Sequence, residues 1–415
     1  YYLHYFSRKQ PDLNWENPEV RQEIFDMMRF WFDKGIDGFR MDSISLIAKD
    51  PSFPLIDSKK YPDIFSFYAK EPRLHLYLHE MNRQVLSKYD CMSVGEGSAV
   101  MVDDVAKFVD PAREELNMLY HFDAARIRNT TLPDNPESGI DYSLIALKKM
   151  FTEWDKAVDK GWPSIYLGNH DQPRMVSRFG SDKDEFRALS AKMLITFLLT
   201  MRGTPYWFAG DEIGMRNIRF DHIEDYNDID TINRYKKAKA EGKDPQAELD
   251  EQKETGRDNA RTPFQWDRSP EAGFTAGTPW LKVNPDYTWI NVADEEKDPT
   301  SILNYFKKVV SFRKENPSLI YGSYHLLDAE NPQSYTFLRK TGADTYLIML
   351  NFSHKAAIST PGIDMSNAHV LLDNYGDRSH MAPQKDITLR PFEAIVFQLN
   401  HPVYESFIDS LDLLE

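Results

Sequence analysis

The chain has 415 residues, with 50 Lys and Arg against 65 Asp and Glu and a net charge of −15. Its length supports two or three domains around a sizeable core, and its acidic balance argues against nucleic acid as a partner. No apolar run approaches a membrane span, and the single cysteine, Cys91, has no partner for an internal disulfide and reads as a small buried side chain.

In chain order, Asn17 is placed to cap a helix that accepts Pro18 in its first turn. Val20, Ile24, Met27, Met28 and Trp31 recur there at helical spacing, and Gly35 stops the helix. A strand follows at 36–42, then a helix at 70–86 with Leu74, Tyr77, Leu78 and Met81 as its apolar stripe, then a strand at 91–96. Residues 118–122 carry a short signal that fits a strand or a loop. A helix at 144–154, a strand at 164–170, a strongly apolar helix at 188–201 and a strand at 205–209 continue the alternation. The stretch 214–267 is a charged excursion, and within it 235–241 reads as a solvated helix. A helix at 302–314 is ended by Asn316-Pro317. From 318, alternating segments at 335–339, 345–352 and 394–399 read as an antiparallel β domain.

Three of these apolar runs end in a carboxylate: Gly38-Phe39-Arg40-Met41-Asp42, Val94-Gly95-Glu96 and Gly168-Asn169-His170-Asp171. Strand residues alternate faces, so Arg40 and Asp42 share one side, and the guanidinium favours the ionised carboxylate that a nucleophile or an electrostatic stabiliser needs. The same pair also reads as a structural ion pair inside a barrel. Glu96 has no basic residue near it in sequence, so burial at a strand end would raise its pKa and keep it protonated, as a general acid requires. Carboxylates at several strand ends converging on one face are the usual site geometry of a β/α barrel.

These blocks resemble the fourth-, fifth- and seventh-strand motifs of the α-amylase superfamily of glycoside hydrolases (family 13). Gln10-Pro11-Asp12-Leu13-Asn14 resembles the motif of its oligo-1,6-glucosidase and α-glucosidase branch, and Arg257-Asp258-Asn259-Ala260-Arg261-Thr262-Pro263 with Gln265-Trp266-Asp267 adds a match in the same order. The resemblance implies an α/β fold, a (β/α)8 TIM barrel with a C-terminal antiparallel β domain. On that reading strands four to eight are present and strands one to three are missing from the chain. Residues 1–14 would be a remnant of the inserted domain and 15–317 the C-terminal part of the barrel, with 214–267 as the long loop after strand eight. Residues 318–400 would be the β-sandwich and 401–415 a tail. Missing upstream residues or a second polypeptide would then complete the barrel.

The resemblance further implies a retaining, exo-acting α-glucosidase on short α-linked oligosaccharides, with Asp42 as nucleophile, Glu96 as acid/base and Asp171 as the third carboxylate. Arg40, His170 and Arg257 would complete the glucose pocket. His170 also fits a hydrogen-bonded structural histidine, and Arg257 a loop-anchoring ion pair. Ser43 follows the nucleophile where relatives carry Val for α-1,6 or Thr or Ala for α-1,4 linkages, and it leans towards α-1,4 or broad specificity. A sugar-stacking ring is expected at Phe122 or Tyr206. No cofactor and no metal ligand set is expected; the structural Ca²⁺ of some relatives would belong to the upstream region. The expected partner is a small α-glucoside, with no membrane. A cytoplasmic location is expected, with periplasm and secretion left open. Two alternatives remain: a transglucosylase or sucrose-converting relative, of which the sucrose-isomerase form is argued against by the unlike segment 176–182, and a silent amylase-like binding subunit, against which the three carboxylates argue.

Overall fold

The computed structural model describes residues 1–399 apart from 62, 343, 380, 382 and 383. Residue 400 and the expected tail at 401–415 therefore lie outside the described residues. Tyr1–Ala124 with Met150–Ser164 form one compact unit, and Ala125–Lys149 with Ile165 onwards form another.

The first unit is built on three parallel strands, β1 (Gly38–Met41), β2 (Met92–Glu96) and β3 (Met118–Tyr120), in the order β1-β2-β3. Arg40 pairs with Val94, and Glu96 with Tyr120. Because the strands are parallel, their carboxyl ends share one edge, which holds Asp42, Glu96 and Tyr120. The short signal at 118–122 thus resolves as a strand. Close pairing requires Gly38, where a Cβ would meet the Met92 carbonyl oxygen at 2.0 Å.

The helix Arg73–Gln84 buries Leu74, Tyr77, Leu78 and Met81, as the spacing predicts. The helix Pro18–Asp33 starts as expected, with the Asn17 side chain accepting the Glu19 N–H at 2.9 Å. Its buried face differs from the expected one: Phe25, Met28 and Phe32 are buried while Met27 and Trp31 are exposed. Both faces are apolar, so spacing cannot choose between them. The packing chooses: Phe32 stacks on Tyr89 at 4.5 Å and meets Phe39 edge-on at 5.0 Å, and burying such a ring is worth about 1.5–3 kcal/mol. Cys91 is half-buried rather than buried, and burial raises its thiol pKa.

In the second unit the helix Arg187–Thr200 is buried almost all round, as its composition requires. The flanking strands are shorter than expected, β4 (Ser164–Ile165) and β5 (Thr204–Pro205), and pair with each other. The Ile165 carbonyl accepts the Tyr206 N–H at 2.8 Å, and the strand expected at 164–170 ends at Ile165. The charged excursion folds into two helices, Ile229–Ala240 and Pro245–Thr255, capped by Asp228 and Asp244 and joined where Arg234 meets Glu248 and Glu251. The second of them is not foreseen from the sequence.

The C-terminal strands are β6 (Ser323–Leu327), β7 (Ser334–Thr341), β8 (Asp344–Asn351), β9 (Ala357–Ser359), β10 (His369–Asp373), β11 (Ile387–Leu389) and β12 (Ala394–Leu399). Five form an antiparallel sheet in the order β10-β12-β8-β7-β6, and β11 pairs with β9. Most of β7 and all of β12 are buried or nearly so, because Phe197 of the helix packs on Tyr335 at 5.2 Å while Leu338, Leu347 and Ile395 meet Ile387 and Leu389 in a separate core.

Candidate active site

In the first unit one guanidinium joins two carboxyl groups. Arg40 donates from Nη1 to Asp42 Oδ1 at 2.5 Å and from Nη2 to Glu96 Oε2 at 2.8 Å. The Tyr120 hydroxyl accepts from Arg40 Nε at 2.8 Å and also from Nη2. Glu96 receives the Ser43 backbone N–H at 3.0 Å and the Ser98 hydroxyl at 3.4 Å. Ser43 adopts a left-handed conformation, with φ of +44°, to aim that N–H. Such a conformation costs a non-glycine residue roughly 1–2 kcal/mol, so the tight turn after β1 is held by its surroundings. The part of Ser43 that the fold commits is its backbone.

The two carboxyl groups differ in environment. The Asp42 side chain is 77% exposed and that of Glu96 is 9% exposed. Burial, then the hydrogen bond with Asp42, pushes the Glu96 carboxyl up to about 7, against the opposing pull of the Ser43 N–H and of Arg40. No basic residue lies near Glu96 in sequence, but Arg40 reaches it from the neighbouring strand, and burial still prevails. Tyr120 takes part in this cluster unforeseen; its signal is its place at the end of a third parallel strand.

In the second unit the segment after β4 forms a tight turn, with Asn169 Oδ1 accepting the Asp171 N–H at 2.8 Å. His170 Nε2 lies 3.2 Å from Asp171 Oδ2. Arg257 approaches Asp171 Oδ1 at 3.3 Å and Arg261 at 2.7 Å, and Arg261 Nε donates to the His170 carbonyl at 2.8 Å. Behind them sits the buried Asp228, which accepts from Arg257 Nη2 and lies 3.8 Å from Arg261 Nη1. Burial pushes the Asp228 carboxyl up, but the bonds from Arg257 and Thr231 outweigh it and leave it below the usual range. Asp258 accepts the N–H groups of Asn227 and Asp228, both at 2.7 Å, fixing the loop. Both readings of Arg257 thus meet in one side chain, which anchors a loop and faces Asp171.

Arg261 and Asp228 were not foreseen as site residues. Arg261 sits four positions after Arg257, just beyond the short 3-10 turn Arg257–Asn259, and Asp228 carries the signal of a helix cap. Of the expected stacking rings, Phe122 is half-buried and edge-on to Tyr120 at 5.9 Å, and Tyr206 is half-buried after β5. Among the described residues no group of three or more His, Cys, Asp or Glu side chains is arranged to hold a metal ion, and no helix is long and apolar enough to cross a membrane.

A buried acid with its carboxyl pushed up to about 7 beside an exposed carboxylate, at the carboxyl edge of a parallel sheet, defines the class as a glycoside hydrolase. Residues 1–322 match the family described as alpha amylase, catalytic domain, and the chain belongs to that family. It is 48% identical over 412 residues to the oligo-1,6-glucosidase of Parageobacillus thermoglucosidasius, an alignment covering 97% of this chain and 72% of that protein. It is 44% identical to the oligo-1,6-glucosidase of Bacillus cereus, covering 96% and 72%. Among solved structures, the isomaltulose synthase of Protaminobacter rubrum superposes with a TM-score of 0.90 at 38% identity, covering 97% of this chain and 72% of that one. A mutant isomaltulose synthase of Erwinia rhapontici NX5, in complex with its natural substrate sucrose, gives 0.90 at 40% with the same coverage. Family and structural likeness together give the chain the TIM-barrel architecture with a C-terminal antiparallel sheet.

Proposed function

We propose that the chain is a retaining, exo-acting α-glucosidase that releases terminal glucose from short α-glucosides through a covalent glycosyl-enzyme. The observation that carries this reading is Arg40 bridging an exposed Asp42 and a buried Glu96 whose carboxyl is pushed up to about 7. In the first step an Asp42 carboxylate oxygen bonds to the anomeric carbon as the glycosidic bond breaks, and Glu96 gives its proton to the leaving oxygen. In the second, Glu96 takes a proton from water, the water oxygen replaces Asp42 at that carbon, and glucose leaves with its configuration retained. Retention requires the Asp42 and Glu96 carboxyl groups to stand about 5–5.5 Å apart rather than the roughly 6.5–9.5 Å of inverting pairs, and Arg40 bonding to both keeps them close together.

Asp171, with His170, Arg257 and Arg261 around it, is the candidate for binding sugar hydroxyls. The carboxyls supply both proton and nucleophile, so the reaction needs no organic cofactor. The relatives named oligo-1,6-glucosidase favour α-1,6 linkages, while Ser43 leans towards α-1,4 or broad specificity. Glucose release from isomaltose, maltose, trehalose and sucrose, with Asp42→Asn as control, tests the proposal. We expect release from isomaltose or maltose that Asp42→Asn abolishes, and equal rates in both proteins would overturn it. The likeness to sucrose-converting structures keeps a second reading, glucosyl transfer, which predicts isomer formation from sucrose in excess of glucose release.

A further inference from the structure

Trp280 is 58% exposed, yet its side chain is not free to wander. Its indole N–H donates to the Arg261 carbonyl at 2.8 Å, and Phe274 meets its ring edge-on at 5.0 Å and 87°. Its own carbonyl accepts from the Asn227 side chain, whose backbone N–H is held by Asp258. Arg261 in turn touches Asp171 and the His170 carbonyl. A singly exposed apolar residue is ordinary on any surface. Here, however, a large exposed ring is locked by its indole N–H to the backbone of Arg261, whose side chain bonds Asp171. A preset aromatic face suits the C–H face of a pyranose, whose slightly positive hydrogens meet the negative π surface.

We propose that Trp280 is a sugar-stacking platform that takes the pyranose ring next to the one held by Asp171, so that it selects substrates of two or more sugar units. This rests on the reading of Asp171, His170, Arg257 and Arg261 as a glucose pocket. Calorimetric titration in the Asp42→Asn background, which cannot turn over, separates the two rings. The probes are 1-deoxynojirimycin, a one-ring glucose mimic, and isomaltose and maltose.

Trp280→Ala should leave affinity for the mimic unchanged and weaken disaccharide binding by about tenfold, the scale of one aromatic stack. Trp280→Phe should recover much of the loss, and it serves as the reporter should the alanine variant fold poorly. A loss shared equally by mimic and disaccharide would make Trp280 a structural prop and overturn the inference, as would unchanged disaccharide affinity in both variants. Failure of the chain with Asp42 and Trp280 both intact to bind the mimic, which has no glycosidic bond to cleave, would instead remove the glucose pocket, and the platform with it.

Discussion

At the scale of single residues the chemistry turns on one buried proton. Glu96→Gln should cut kcat/KM for a disaccharide by about 10²–10⁴-fold, and far less for a glucoside whose leaving group needs no protonation. Activity of the unaltered chain should fall as pH rises through about 7, where the Glu96 proton is lost. The stability consequence has a definite sign. Glu96 titrates at 4.5 when unfolded and near 7 when folded, so between those values the folded chain holds the extra proton; its stabilising share is complete below 4.5 and gone above 7. Glu96→Gln should therefore raise Tm more at about pH 8 than at about pH 5 in paired melts. Tyr120 acts one step back, by holding the guanidinium that favours ionised Glu96. Tyr120→Phe removes only the hydroxyl, and the basic limb of kcat/KM should move upward in pH while the melt is unchanged; coincident pH profiles would release Tyr120 from that role.

At the scale of elements, the cap of Ile229–Ala240 does two jobs. Asp228 accepts the Thr231 N–H at 3.1 Å and also holds Arg257 behind Asp171. Asp228→Asn keeps a cap and loses the charge, so KM should rise with little change in stability, whereas Asp228→Ala should also cost about 1 kcal/mol in denaturant unfolding. Much at this scale is legible in the sequence. The stripe of Arg73–Gln84 and the strands β7, β8 and β12 fall close to where periodicity puts them, because each has one dominant apolar pattern. The face of Pro18–Asp33 is not legible, since apolar side chains surround it and only the contacts of Phe32 with Phe39 and Tyr89 decide. Strand-end carboxylates announce themselves through sequence order. Tyr120, Arg261 and Asp228 do not, because their roles come from partners 80, 90 and 29 residues away.

At the scale of the whole molecule, the larger unit is tied together by buried arginines rather than by apolar contact alone. Arg339, with no exposed surface, donates to the carbonyls of Thr200, Leu319, Gly322 and Ser323, joining β7 to the end of Arg187–Thr200. The Thr200 carbonyl, last of its helix, has no partner within the helix, and the cation complements the dipole there. Arg339→Met should cost on the order of 3–5 kcal/mol, seen as a lower Tm, with Arg339→Lys intermediate. None of this is readable from sequence, where Arg339 is one basic residue in a strand. Family membership, by contrast, was legible from five short blocks in fixed order, because residue type, order and spacing agree together. The central claim is that Asp42 bonds to the sugar while Glu96 supplies the proton, and trapping with 5-fluoro-α-glucosyl fluoride followed by peptide mass spectrometry tests it most directly. The account predicts a fluoroglucosyl adduct on the peptide that carries Asp42, absent in Asp42→Asn. An adduct on another carboxylate, or active enzyme that never accumulates one and releases β-glucose first, would contradict it.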